Sequence, residues 1–116
     1  MAIKYGQYQV NLEFGKYGNF NTAIILKGAK GKYQGETIAV ATVNGCTTLN
    51  DPDICGFKSW NENPEIINAL IKGEIIKPAP VFTEPSGFGF IQYHELTEIG
   101  KQMRDFYWKE QGILQD

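Results

Sequence analysis

Alternation of apolar and polar residues in the first half of the chain predicts β-strands. Residues 8–14 alternate aromatic or aliphatic side chains with polar ones, the period-2 pattern of a strand with one buried face. Residues 22–27 and 36–43 are rich in β-branched side chains and predict two further strands. Turns rich in glycine and asparagine separate these segments, so we expect an antiparallel meander.

The middle of the chain predicts a helix. Asn63 is a good N-cap, Pro64 suits the first helical position, and apolar residues recur on one face as far as Ile71. Lys72 and Gly73 are predicted to end the helix. Such a face has to be buried, and we expect it to pack on the sheet. Three prolines within residues 77–86 indicate an irregular or edge segment after the helix.

Two more strands are predicted around this helix. Residues 56–60 resemble a short strand, and residues 87–96 form a longer alternating segment. The longer segment carries aromatic side chains on both faces, so the pattern leaves its core face open.

From Thr97 the hydrophobic period becomes that of a helix. The predicted core stripe of this helix consists of Ile99, Met103, Phe106, Tyr107, Ile113 and Leu114. Trp108 lies about 180° from that stripe at 100° per residue, and tryptophan is enriched among interface anchors. We therefore take Trp108, with Tyr107 and Arg104, as a candidate interface. The alternatives are that both helix faces pack or that the buried face differs from the predicted one.

These elements predict an α+β fold: an antiparallel sheet of four or five strands, one packed helix and a C-terminal amphipathic helix. Residues 8–96 are expected to form a single domain. Residues 97–116 are expected to form a helix that packs on this domain or lies at an interface.

Composition restricts the class of protein. The chain has 116 residues, of which 42% are hydrophobic, which suits one compact domain, and its net charge is −2. That charge gives no general attraction to nucleic acid or to anionic membrane, so we expect neither as a partner. The N-terminus has no apolar signal segment, and the longest apolar run, residues 23–26, is too short to cross a bilayer. These features predict a cytoplasmic protein in which Cys46 and Cys55 are free thiols.

The small net charge conceals an uneven distribution. Residues 1–35 carry five lysines and one acidic residue, net +4, whereas residues 36–66 carry one lysine and five acidic residues, net −4. Lys27, Lys30 and Lys32 fall in a glycine-punctuated connection, and we take them as candidate anion contacts. The order of residues there is not that of a phosphate-binding P-loop.

No residue combination in the sequence indicates catalysis. His94 is the one histidine, and strand alternation places the adjacent Glu95 on the opposite face. A structural or surface histidine is therefore the preferred interpretation. A zinc site using His94, Cys46 and Cys55 lacks the usual ligand spacing. We predict no catalytic residue, no cofactor and no metal.

Several short segments resemble a family of small uncharacterised proteins carried by bacterial conjugative transposons, plasmids and prophages. The segments are residues 17–26, 35–44, 63–66, 76–78 and 86–88. The resemblance implies an accessory protein of a mobile genetic element or phage, and it brings no catalytic residues with it.

The expected function is therefore non-enzymatic protein–protein binding, and one possible target of that binding is a host defence system. The partner is unknown, and a second copy of the chain is one option. The alternatives are a small-ligand or nucleotide-binding domain that uses the tip at residues 27–32, or single-stranded nucleic-acid binding by aromatic residues beside lysines.

Overall fold

The structure of the protein is a computed structural model, and it describes residues 2–17, 21–43, 51–58, 64–87 and 89–112. Within these residues the chain forms seven strands and two α-helices, with one 3-10 turn at residues 31–33. In chain order the elements are β1 (Ala2–Tyr5), β2 (Tyr8–Lys16), β3 (Thr22–Gly28), β4 (Thr37–Val40), β5 (Ile54–Lys58), α1 (Pro64–Lys72), β6 (Phe82–Ser86), β7 (Gly89–Glu95) and α2 (Glu98–Glu110). The predicted α+β class is confirmed.

The first sheet has the strand order β1-β2-β3-β4, with antiparallel neighbours throughout. A two-residue turn joins β1 to β2, and its Gly6 has a φ of +59°, a backbone conformation that favours glycine. Leu12 pairs with Leu26, and Phe14 pairs with Ile24, so alternate residues of the central strands face one side. All four are buried, and they define the core face of this sheet.

The second sheet has the strand order β5-β7-β6 and is also antiparallel. The backbone N–H of Val43 donates to β5 at 2.9 Å and connects the two sheets. Both faces of β7 are covered. On one face His94 meets Phe57 edge to face, and on the other Tyr93 stacks on Phe82 with ring centroids 4.4 Å apart. This double coverage explains why the sequence pattern left the core face of the strand open.

The two helices pack against different strands of the first sheet. Where α1 ends, Gly73 approaches β1 so closely that a Cβ there would lie 2.8 Å from Cγ2 of Ile3. α2 begins at the predicted N-cap Thr97, whose hydroxyl oxygen accepts a hydrogen bond from the N–H of Gly100 at 3.0 Å. One hydrophobic core joins both sheets and both helices, and it extends from Ile3 to Trp108.

Several boundaries differ from the sequence prediction. The described strands form two sheets, where one was expected. They include β1, which was not predicted, and β6, which falls where an irregular or edge segment was predicted. β6 falls in the proline-rich segment, and it tolerates Pro85 because it lies at the edge of its sheet. β4 is shorter than the predicted 36–43, and β5 begins two residues earlier than predicted. The division of the chain at residue 97 stays a prediction. The residues outside the described ranges include Asn63, Cys46, Ile113 and Leu114.

Candidate functional site

A close backbone contact at Gly100 decides which face of α2 is buried. A Cβ at this position would lie 2.3 Å from the carbonyl oxygen of Ile75, so a larger residue would need the backbone to move. Gly100 therefore faces inward, and Arg104 and Trp108, four and eight residues later, lie on the same side. These three are the buried residues of α2.

The expectation that Trp108 lies outside the packed face is wrong. Only 5% of Trp108 is exposed, whereas Phe106 is 70% exposed and Ile99 is 37% exposed. Of the predicted core stripe within α2, Met103 and Tyr107 pack against the core, and both are only partly buried. The hydrophobic period contains no information about the close approach at Gly100, and that contact sets the rotation of the helix.

Buried Arg104 connects α2 by hydrogen bonds to the residues just before β5. Its Nη1 donates to Oδ1 of Asp53 at 2.7 Å and to the carbonyl oxygen of Pro52, and its Nε donates to Oδ1 of Asp105 at 2.9 Å. The guanidinium carbon lies 5.2 Å from the centroid of the Trp108 ring. Burial by itself would lower the pKa of Arg104, but the hydrogen bonds to Asp53 and Asp105 outweigh it and raise the pKa. These contacts hold the helix in place and leave Arg104 engaged within the chain.

Tyr107 completes the predicted interface group, and it also contacts the protein's own sheet. Burial, the nearby charge of Glu13 and a hydrogen bond to that carboxylate raise the pKa of the Tyr107 hydroxyl. Because Glu13 belongs to β2, this contact fastens α2 to the first sheet. Trp108, Tyr107 and Arg104 are thus brought together, but mainly as a packing group.

The structure places Lys30 and Lys32 in one cleft and separates Lys27 from them. Lys27 lies on β3, where its Nζ is 4.0 Å from Oε1 of Glu13. Lys30 and Lys32 line a cleft of about 330 Å³ beside the β1–β2 turn. We call it the tyrosine–lysine cleft, and its lining residues are Gln7, Tyr8, Gln9, Gly28, Lys30, Gly31, Lys32 and Tyr33.

Backbone geometry fixes the shape of this cleft. A Cβ at Gly28 would lie 2.0 Å from the carbonyl oxygen of Tyr33, so the chain can close on itself only because residue 28 is glycine. The N–H of Gly28 donates to the carbonyl of Glu36 at 2.8 Å, and the N–H of Ala29 donates to that of Gln9 at 2.9 Å. The connection after β3 is therefore tied both to itself and to β2.

The cleft combines flat aromatic surface with positive charge. The rings of Tyr8 and Tyr33 meet edge to face, with centroids 5.5 Å apart, and Nζ of Lys32 lies 5.1 Å from the centroid of the Tyr33 ring. Neither Lys30 nor Lys32 pairs with a carboxylate among the described residues, and no acidic residue of that set lines the cleft. Such a site suits an anionic ligand that carries a planar ring.

Sequence reasoning found the two lysines of the cleft and missed its other side. Tyr8 and Gln9 lie on β2, which meets the lysine-bearing connection through its pairing with β3. Gln7 lies in the turn between β1 and β2, and β1 was not predicted as a strand. The available signal was Gly6, which with Gln7 forms a two-residue turn between the paired Tyr5 and Tyr8.

His94 and Cys55 are buried where β5 pairs with β7. Nδ1 of His94 is 2.8 Å from the carbonyl oxygen of Lys77, and Nε2 is 3.2 Å from Oε1 of Gln92, which supports the structural interpretation. Burial raises the pKa of the Cys55 thiol to about 12. No cluster of three or more His, Cys, Asp or Glu residues suited to a metal ion occurs within the described ranges.

A second surface feature lies on the outward side of α2. Ile99 and Phe106 are exposed there, and Met103, which also packs partly against the core, completes an apolar line along the helix that we call the α2 strip. A groove of about 400 Å³ adjoins the strip at Ile99. The other residues that line this groove are Ile71, Glu74, Ile76, Pro78, Thr97 and Glu98.

Comparison of the chain with protein-family models, with curated proteins and with solved structures gives no match. The described helices include none with the length and apolar composition needed to cross a membrane.

Proposed function

We propose that the protein is a binding protein without enzymatic activity and that the tyrosine–lysine cleft binds a nucleotide. The observation that carries the proposal is the convergence of two lysines and two tyrosines on one cleft whose volume falls within the usual range for ligand sites. Ammonium groups suit the phosphates, and the tyrosine rings suit the base. The side-chain amides of Gln7 and Gln9 offer both donors and acceptors for the polar edge of a base.

Thermal unfolding in the presence of adenine and guanine nucleotides tests this proposal. A ligand at 100 times its Kd stabilises a protein by about 2.7 kcal/mol, which for a chain of this size raises Tm by about 10 °C. We expect such a shift with a nucleotide and a smaller one with inorganic phosphate, because phosphate alone does not use the aromatic surface. The double substitution Lys30→Ala and Lys32→Ala should abolish the shift.

Lys72→Ala is the matched control, since it removes one exposed lysine at the end of α1, away from the cleft. It should leave the nucleotide shift unchanged. The absence of any nucleotide shift, or a shift that survives the double lysine substitution, would contradict the proposal. A short single-stranded oligonucleotide belongs in the same experiment. Steeply salt-dependent binding of that oligonucleotide, in preference to nucleotides, would favour the nucleic-acid alternative that the net charge opposes.

Protein binding is the second candidate function, in the setting that the family resemblance implies. In that setting the protein is a cytoplasmic accessory protein of a mobile genetic element or phage, and a host defence system is one target to examine. The observation that favours it is the α2 strip, because Phe106 is 70% exposed on a helix that is otherwise well anchored. Large aromatic side chains are common anchors of protein interfaces.

Co-purification from cells that carry a related mobile element tests the second candidate. A defined protein partner should co-purify with the wild-type chain and be lost with Phe106→Ser. Sedimentation of the purified protein shows separately whether the partner is a second copy. A partner retained equally by Phe106→Ser would contradict the use of the α2 strip.

A further inference from the structure

The α2 strip is held outward by the way the helix is anchored. Gly100 contacts the carbonyl of Ile75 with no room for a side chain, and Arg104 is hydrogen-bonded to Asp53 at 2.7 Å. Phe106 lies about 160° around the helix from Arg104, at 100° per residue. The helix therefore cannot turn to bury Phe106 without losing both anchors.

The charged residues that line the groove are both acidic. Glu74 and Glu98 line the groove, and Glu110 lies one helical turn beyond Phe106; all three are exposed. Lys109 is the one basic residue on the outward side of α2, against Glu98, Asp105 and Glu110. A partner complementary to this surface carries apolar side chains flanked by positive charge.

The extent of the strip argues for a short partner segment over a second copy of the chain. From Ile99 to Phe106 the helix rises about 10 Å. A stable dimer usually buries about 800 Å² on each partner, which needs a broader apolar face. An amphipathic helix laid into a groove instead uses a few apolar anchors at helical spacing.

We propose that the α2 strip and the adjoining groove form a docking site for a basic amphipathic helix of a protein partner. This inference rests on protein binding, the second candidate function. The apolar side chains of the partner helix contact Ile99 and Phe106, and its lysine or arginine side chains face Glu98 and Glu110.

Fluorescence anisotropy with a defined peptide tests the inference. The probe is a labelled synthetic helix of about 15 residues, with leucine on one face and lysine on the other. It should bind the wild-type protein more tightly than a shuffled peptide of the same composition or a version with glutamate in place of lysine. Phe106→Ser should weaken binding about ten-fold. The pair Glu98→Gln and Glu110→Gln should weaken it about two- to five-fold, as for exposed charge pairs.

Two controls separate docking from misfolding and from general stickiness. Val81→Ser removes another exposed apolar side chain, 51% exposed and outside α2, and should leave peptide binding unchanged. Ile99→Ser provides a second strip variant, and urea unfolding of both strip variants checks that the fold is intact. Equal binding of the glutamate peptide, or wild-type binding by both strip variants, would overturn the inference.

Two further results bear on the identity of the occupant. A wild-type dimer that Phe106→Ser dissociates would overturn the inference, because the occupant would then be a second copy. A protein partner whose binding depends on Phe106, combined with no binding of the lysine peptide, would overturn the inference that the partner segment is a basic helix. Protein binding by the α2 strip would still hold in that case. Neither result involves the tyrosine–lysine cleft, which shares no residue with this surface.

Discussion

The substitutions Trp108→Ala and Phe106→Ala report which face of α2 packs against the sheets. A tryptophan buries roughly 150–250 Å², which at about 25 cal/mol per Å² amounts to about 4–6 kcal/mol of transfer free energy. Trp108 is only 5% exposed, and alanine retains part of that burial, so we expect Trp108→Ala to cost about 3–5 kcal/mol. Phe106 is 70% exposed, and its replacement should change stability by no more than about 0.5 kcal/mol.

Guanidinium chloride unfolding followed by far-UV circular dichroism is the appropriate assay. Fluorescence is less suitable, because the chain has two tryptophans and the substitution removes one of them. Loss of 3–5 kcal/mol corresponds to a fall in Tm of about 12–20 °C for a chain of this length. Trp108→Phe is a useful intermediate, because the Trp108 Nε1 is buried with no hydrogen-bond partner among the described residues. Phenylalanine keeps much of the packing and removes that donor, so it should cost clearly less than alanine.

A larger loss of stability for Phe106→Ala than for Trp108→Ala would refute this reasoning. It would mean that α2 presents Phe106 to the core, as hydrophobic periodicity alone predicts. Equal losses would mean that both faces pack, and the α2 strip would then be unavailable to a partner.

Four further predictions concern Gly100, Arg104, Glu95 and Cys55. Gly100→Ala should destabilise the protein by about 1–2 kcal/mol in urea unfolding, because the clash with the Ile75 carbonyl exceeds the gain in helix propensity. Arg104→Met should cost about 1–3 kcal/mol in the same assay, through lost charge-assisted hydrogen bonds. Hydrogen bonds from Lys77 and Lys101 hold the pKa of Glu95 below its usual value of 4.5. The ionised Glu95 therefore stabilises the folded protein above pH 4.5, and this stabilisation is lost as the pH falls through the lower pKa of the folded state. Stability of Glu95→Gln, followed by unfolding between pH 3 and about pH 6, should therefore fall less steeply on acidification. Peptide-level mass spectrometry after iodoacetamide treatment should find Cys55 unmodified in the native protein and modified after unfolding, because burial raises its pKa to about 12.

Local signals predicted much of the fold. Pro64 and Lys72 are the first and last residues of α1, and Thr97 is the N-cap of α2. Signals of this kind act within a single helical turn, so the sequence alone contains them. Period-2 alternation predicted β2 because its apolar residues pack on one side only. The prolines of residues 77–86 predicted an irregular or edge segment without choosing between the two, and the structure has the edge strand β6 there, with Pro85 in it.

The candidate sites depend on contacts between residues far apart in sequence, so sequence predicted them only in part. Lys30 and Lys32 stand close together in the chain and could be recognised as a pair. Tyr8 joins them only through the pairing of β2 with β3 and the turn that follows β3. The inward face of α2 depends on the contact between Gly100 and Ile75, 25 residues earlier in the sequence. The hydrophobic periodicity of a helix cannot predict a contact between residues so far apart in sequence.

The outward position of Phe106 follows from how the core holds α2, and this supports the proposed role of the α2 strip as a binding surface. Turning the helix by about 160° to bury Phe106 would expose Trp108 and break the hydrogen bonds between Arg104 and Asp53. It would also carry Gly100 away from the Ile75 carbonyl, a contact too close for any larger residue. Burial of one phenylalanine cannot offset the loss of a buried tryptophan together with a hydrogen-bonded arginine. The strip is therefore exposed in this orientation in the free protein, so the proposed partner would not have to meet the free-energy cost of rearranging the helix.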